Sequence, residues 1–147
     1  MSERPESLVD GAYRALVSDN LDEKVRLTNE TATLWRSRKL ALTGKKRYLS
    51  PKRPGRPEKP DLLPPSEVPK RPLNSLRGRK ALVHAIAHIE LNAIDLALDI
   101  IVRFAWQRIP RSFFDGWMMV AEEEAKHFTL LRGRLAQYDM DYGDLPA

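Results

Sequence analysis

Two glutamates and one histidine have residue types and spacing that suit a metal site. Glu124 and His127 form a Glu-x-x-His pair, whose side chains lie about 60° apart on a helix. Glu90 lies in an earlier segment that also has helical periodicity. Carboxylate and imidazole ligands without thiolate suit iron or manganese, with zinc as an alternative. Because the chain contains no cysteine, any metal it binds must be held by such ligands.

Both glutamates lie on apolar helix faces when the two segments are drawn as helical wheels. The neighbours of Glu90 on its wheel are Val83, Ile86, Ala87, Ala93, Ile94, Ala97 and Ile101. Those of Glu124 are Phe113, Trp117, Val120, Ala121, Phe128, Leu131 and Leu135. A carboxylate on an apolar face is costly unless it is paired, protonated or bound to metal. Carboxylate-bridged two-metal bundles take one Glu from each of two helices and one Glu-x-x-His from each of two others, so the chain supplies one of each.

Other interpretations of these residues remain open at this point. A single Glu-x-x-His is common by chance, and Glu90 could reach solvent or pair with an arginine. The polar residues of the first segment share a stripe that predicts a solvated or semi-solvated face: His84, His88, Asn92, Asp95, Asp99 and Arg103. The His84–His88 spacing could also bind a metal, but this stripe favours a surface role or a hydrogen bond to a ligand. Glu123 and His88 are candidates for such hydrogen bonds to the ligands.

The elements that must position these residues are helices, so we predict an all-α fold. Apolar periodicity predicts helices over 8–19, 21–42, 76–106 and 112–138. The stretch Asp19-Asn20-Leu21-Asp22 can cap the second helix, and Ile109-Pro110 closes the third. Ser112 and Asp115 form a capping pattern for the fourth. Two long helices joined by a short connection favour an antiparallel pair.

The middle of the chain is basic and rich in proline. Residues 36–80 carry 15 Lys or Arg against 3 Asp or Glu, and 8 of the 11 prolines lie within 51–72. So many prolines exclude a regular helix over 45–75 and favour extended chain. We therefore predict an N-terminal helical segment (1–44), a basic Pro-rich arm (45–75) and a helix pair (76–147). The apolar residues of the arm favour packing along the helical body over a free linker.

Several stretches resemble an uncharacterised, mainly bacterial ferritin-like family that has been labelled only as a domain of unknown function. The run from Gly78 to Asp99, with His84-Ala85-Ile86-Ala87-His88-Ile89-Glu90-Leu91 at its centre, resembles the family's first bundle helix. The stretches that resemble its second helix and preceding arm are 110–117, 121–128 and 54–72. The resemblance implies a ferritin-like four-helix bundle with a di-iron centre and Glu90, Glu124 and His127 as ligands. The wider superfamily includes ferritins, rubrerythrins, ribonucleotide reductase small subunits and a tRNA-modifying hydroxylase, so it implies no particular substrate.

The sequence departs from that family in its length. Family members continue beyond 142–147 with a second helix pair that carries another carboxylate and another Glu-x-x-His. The chain therefore holds only the first helix pair and half of a two-metal site. We expect a fragment or truncated product; the alternative is a homodimer whose two-fold axis rebuilds four helices. A completed bundle would be a di-iron, or manganese, oxidoreductase or hydroxylase.

Two other functions compete with this hypothesis. The basic arm could bind nucleic acid, although Tyr48 is its only aromatic residue after Trp35 and no nucleic-acid motif is recognised. The chain could also be a non-catalytic helical protein. No apolar stretch reaches a membrane-spanning length of about 20 residues, and no signal peptide is recognised, so we expect a soluble, cytoplasmic protein with no membrane partner.

Overall fold

The computed structural model describes residues 3–147, and all regular structure within that range is helical, which confirms the all-α prediction. Four α-helices follow one another as α1 (Leu8–Val17), α2 (Leu21–Arg36), α3 (Leu76–Phe104) and α4 (Arg111–Ala136). One 3-10 turn, Pro65–Glu67, interrupts the long connection between α2 and α3. None of the helices in this part of the chain combines the length and the apolar character needed to cross a bilayer.

Three of the four helices begin with a side-chain cap. The side chains of Ser7, Asn20 and Ser75 accept hydrogen bonds from backbone amides in the first turns of α1, α2 and α3. The cap predicted within 19–22 is supplied by Asn20. These caps satisfy donors that the helix itself leaves unpaired, and they fix where each helix starts. The predicted Ser112–Asp115 cap of α4 is wrong, because α4 begins at Arg111 after Pro110 and has no side-chain cap.

Helix α2 ends at Arg36, which corrects the predicted end near Leu42. The chain reverses at Arg38, which has a φ of 60°, and then runs back along the start of α1. There the carbonyls of Ala41 and Leu42 accept hydrogen bonds from the first amides of α1. Leu42 is thus apolar because it packs from an extended return segment rather than from a helix.

The antiparallel α3–α4 pair forms the centre of the molecule, and α1 and α2 cover one side of it. Helix α1 packs against α3 and α2 packs against α4. The largest core side chains of the pair are at most 1% exposed: Leu91, Ile94 and Leu98 of α3, and Phe114, Met118 and Phe128 of α4. Trp35 joins α2 to α4, because its indole nitrogen donates to Asp115 at 2.9 Å and its ring lies under Arg111.

A buried ion cluster joins three parts of the chain that are distant in sequence. Asp95 of α3, only 5% exposed, accepts hydrogen bonds from Lys24 of α2 at 2.5 Å and from Arg56 of the arm at 3.0 Å. Lys24 is fully buried and also donates to the carbonyl of Leu16. Burial raises the pKa of Asp95 and lowers the pKa of Lys24, while the attraction between the two charges opposes both shifts.

This cluster corrects the expectation that the polar stripe of α3 faces solvent. Asp95 and His84, which lie on that stripe, are both buried. The physical reason is that Lys24 of α2 and Arg56 of the arm bring cations to Asp95, while the segment after α4 covers His84. A single helical wheel contains no information about these partners. Asn92, which accepts a hydrogen bond from Arg56, and Arg103 remain exposed.

The proline-rich arm lies against the helices in an extended conformation. Its closest approach is at Gly55, whose amide donates to the carbonyl of Leu16 at 2.8 Å. A Cβ at this position would lie 2.1 Å from the carbonyl oxygen of Val17, so the approach requires glycine. The adjacent Arg56 reaches Asp95, and the arm is thereby fixed at the end of α1 and at the middle of α3.

The segment after α4 folds back onto the N-terminal half of α3. The buried Tyr142 ring stacks on His84 and meets the edge of Phe128. His84 Nε2 accepts hydrogen bonds from the amides of Gly143 and Leu145, at 3.0 and 3.4 Å. An Nε2 that accepts from two amides must be unprotonated, so the position requires neutral histidine.

We expect Asp95→Asn to lower the free energy of unfolding by about 3 kcal/mol or more, because it leaves two cations without a buried counter-ion. Asp99→Asn is the matched control one turn later, where the exposed ion pair with Arg103 should contribute less than about 0.5 kcal/mol. Urea titration of both variants measures the difference. Equal losses in the two variants would contradict the structural role of the cluster.

The stability of the chain should fall as the pH decreases from about 7.5 to about 5, because burial lowers the pKa of His84 below its ordinary 6.5. Above 6.5 both states carry neutral histidine. Below 6.5 the unfolded state binds a proton that the folded state does not, so stability is lost as the pH falls from 6.5 to the lower folded-state pKa. Burial also lowers the pKa of His88, which therefore contributes to the same loss of stability.

His84→Gln should make this pH dependence weaker, since Gln offers an acceptor oxygen that does not titrate. Denaturant titrations at about pH 7.5 and about pH 5 measure the free energy of unfolding of both chains. If that free energy changes with pH equally in the variant and in the unsubstituted chain, His84 is excluded as the source of the pH dependence.

Candidate metal centre

The structure brings the three predicted ligands together. Glu90 comes from α3, and Glu124 and His127 come from α4, with one ligand atom of each lying within 4.8 Å of the others. His127 Nδ1 is 3.6 Å from Glu124 Oε2 and 3.8 Å from Glu90 Oε2. The antiparallel packing of the pair sets this geometry, because it places the middle of α3 beside the middle of α4.

The cluster lies along the seam between α3 and α4. It is on the side that α1 and α2 do not cover: the cross-helix contacts Lys24–Asp95 and Arg36–Glu122 use the other flank of each helix. The glutamate side chains are only 20% and 22% exposed, whereas that of His127 is 49% exposed. Their surroundings are partly buried apolar residues: Val83, Ile86, Ala93, Trp117, Val120 and Leu131.

The two carboxylates have no hydrogen-bond donor of their own. Across residues 3–147, neither Glu90 nor Glu124 accepts a hydrogen bond, and neither has a Lys or Arg nitrogen within 4.0 Å. Half-buried carboxylates with free lone pairs are costly for folding alone. Ligand atoms around one transition-metal ion are separated by about 3 Å, so small side-chain rotations would bring the set from its present spacing to a common ion. The residues therefore fit a metal in donor type and in geometry.

The other residues considered for this chemistry lie elsewhere. Glu123 is exposed and outside the cluster. His88 points to the other side of α3, where its Nδ1 is 2.7 Å from the hydroxyl of Tyr142. His84 holds the C-terminal segment, as described above. The candidate hydrogen bonds from Glu123 and His88 to the ligands are thus not formed in this structure.

One protein-family model matches most of the chain. The model described as "Protein of unknown function (DUF455)" matches residues 17–147. The chain belongs to the DUF455 family. No activity follows from membership, since the function of the family is unknown.

An uncharacterised protein of Haemophilus influenzae is 44% identical to the DUF455 chain over 96 residues. The match covers 62% of this chain and 33% of the relative. The chain therefore matches about a third of the length of that curated relative. No solved structure matches the chain.

The partners of Asp95 were not predicted from the sequence, although the position of Lys24 in α2 indicates one of them. Lys24 has the same helical spacing as Leu27, Thr28, Thr31 and Trp35, all of them buried. Lys24 is thus a charged residue on the inward face of α2, just as Glu90 is a charged residue on the apolar face of α3. A helical wheel of α2, like those of α3 and α4, shows Lys24 on the apolar face.

We expect Glu90→Leu to raise the free energy of unfolding of the metal-free chain by about 0.5–1 kcal/mol, since it replaces an unpaired carboxylate on an apolar face. Glu123→Leu, on the exposed flank of α4, is the control and should change it by less than about 0.5 kcal/mol. Thermal and urea unfolding measure both. A loss above about 1 kcal/mol for Glu90→Leu would show that Glu90 stabilises the fold rather than serving a site.

Proposed function

We propose that the DUF455 chain contributes Glu90, Glu124 and His127 to a carboxylate-bridged two-metal centre of the ferritin-like type, with iron as the metal and manganese as the alternative. The observation that carries the proposal is the convergence of three ligand atoms, from two helices, to within 4.8 Å. Two oxygen donors and one imidazole suit these ions.

The low solvent exposure of the glutamates supports the same proposal. Side chains that are only 20% and 22% exposed, with no hydrogen-bond donor, carry charge that a divalent cation would neutralise. His127 is more exposed, and its Nδ1 lies between the two carboxylates. A cation bound at this seam would also bridge α3 and α4.

A complete centre of this type needs more ligands than the chain provides here. Two-metal bundles draw on four helices, with a Glu-x-x-His on each of two. The partly exposed apolar surface around the cluster is where a second helix pair would pack. We propose that this second pair comes from the rest of a longer protein or from a second copy of the chain in a homodimer.

The chain's own residues would bind and orient the ions. Glu90 offers two carboxylate oxygens that can bridge, and Glu124 with His127 gives an oxygen and a nitrogen from one helix turn. Redox-active ions at such a centre supply oxygen activation for oxidation or hydroxylation. The surrounding apolar side chains would restrict water at the ions once a second helix pair covers them.

Metal analysis of the purified chain tests the proposal. After loading with Fe(II) without oxygen, or with Mn(II), and removal of free metal, we expect stoichiometric metal by mass spectrometry. Glu90→Ala, Glu124→Ala and His127→Ala should each lose it, whereas the matched control Glu123→Ala should retain it. A folded, metal-free chain after loading, or equal metal content in all four variants, would refute the proposal.

The exposed cations of the arm favour a second candidate function, which is binding to nucleic acid. Lys52, Arg53 and Lys70 are exposed and form no ion pair within the described part of the chain. Such cations can neutralise phosphates, so binding would weaken steeply as salt increases. If labelled RNA and DNA oligonucleotides are not retained even at low salt, this candidate is excluded.

A further inference from the structure

A second candidate site lies between the arm and the N-terminal half of α3. A cavity of about 820 Å³ opens there, which we call the arm cavity. It is within the range of about 300–1,000 Å³ that is typical of small-molecule sites. Most of its lining is apolar, with Leu62, Leu63 and Val68 from the arm and Ala85 and Ile89 from α3.

The charged side chains that line the arm cavity are all arginines. Arg53, Arg56 and Arg71 line it, and no Asp or Glu does. Arg56 is paired with Asp95, which is also paired with Lys24. Arg53 and Arg71 form no ion pair within residues 3–147, although Arg71 is partly buried. The cavity thus offers two uncompensated guanidinium groups beside an apolar wall, and guanidinium binds carboxylate and phosphate in a bidentate manner.

The apolar wall is unusually open to water. Leu62 is 63% exposed and Ile89 is 61% exposed, and both line the cavity. Covering these side chains with the apolar part of a ligand would release water from both surfaces and favour binding. A ligand that satisfies both features must carry an anionic head and an apolar body.

We propose that the arm cavity binds a small amphipathic anion, in which a carboxylate or phosphate monoester is attached to an unbranched hydrocarbon chain. The head is held by Arg53 and Arg71, and the hydrocarbon lies along Leu62, Leu63 and Ile89. This site is separate from the metal cluster, because Glu90, Glu124 and His127 do not line the cavity.

The chemistry of the lining favours this ligand over a nucleic acid. No Phe, Tyr or Trp side chain lines the arm cavity, so bases would find no aromatic ring on which to stack. The apolar residues instead match hydrocarbon. The same arginines could still contact a polyanion, and the test below separates the two ligands.

Isothermal titration calorimetry of the whole chain tests the proposal with soluble probes below their micelle concentrations. Dodecanoate and dodecyl phosphate should both bind, and their relative affinities distinguish a carboxylate from a phosphate head. Dodecyltrimethylammonium has the same hydrocarbon with the opposite charge and should bind at least about tenfold more weakly. Acetate and inorganic phosphate, which lack the hydrocarbon, should not bind measurably.

Matched variants locate the binding. Arg53→Gln combined with Arg71→Gln should weaken dodecanoate binding about tenfold or more, since two charge-assisted contacts are lost. The control combines Arg77→Gln with Arg79→Gln, which removes two exposed arginines outside the cavity and should leave the affinity unchanged. Ala85→Trp should block binding by filling the cavity, with circular dichroism verifying that each variant is folded.

Three results would overturn the proposal. They are no binding of either amphipathic anion, equal binding of the cationic amphiphile, and equal affinities in the cavity and control arginine variants. Binding of a short oligonucleotide that is lost in the Arg53 and Arg71 variant, without dodecanoate binding, would assign these arginines to nucleic acid and equally contradict it.

Discussion

The fold depends on the buried carboxylate of Asp95, which holds Lys24 from one side and Arg56 from the other. A charge with almost no access to water must be compensated within the protein, and here the compensation comes from α2 and from the arm. The same contacts therefore place the N-terminal helices and the proline-rich segment on α3. The arm has further attachments, among them the hydrogen bond from the Gly55 amide to Leu16, but among the described residues Arg56 forms its one ion pair with α3.

This arrangement makes the two sides of the α3–α4 pair different. On one side, every buried charge has a partner and the apolar residues are covered by α1 and α2. On the other side, Glu90 and Glu124 have no hydrogen-bond donor, and the apolar residues around them are partly open to solvent. Contacts within the chain account for the buried charges of the first side but not for the two carboxylates of the second. Our functional proposal therefore rests on the Glu90–Glu124–His127 cluster.

Sequence periodicity predicted the helix pair and the cluster because both depend on spacing within one helix. Glu90 and Glu124 stand out on their wheels, and antiparallel packing follows from the short connection. The state of the polar stripe could not be predicted in this way, because Asp95 is covered by Lys24, which is 71 residues away in sequence. The end of α2 was missed for a related reason: Leu42 is apolar because of pairing with the start of α1, and that contact leaves no periodic signal. The arm cavity depends on how an extended segment folds back, which composition alone does not specify.

Anomalous diffraction from crystals of the chain grown with Mn(II) tests the central claim most directly. Data collected above and below the manganese absorption edge locate the ion without reference to any assumed site. Our account predicts an anomalous peak within about 2.0–2.3 Å of oxygen atoms of Glu90 and Glu124 and a nitrogen of His127. Manganese bound elsewhere in the chain, or an empty cluster in manganese-saturated crystals, would contradict it.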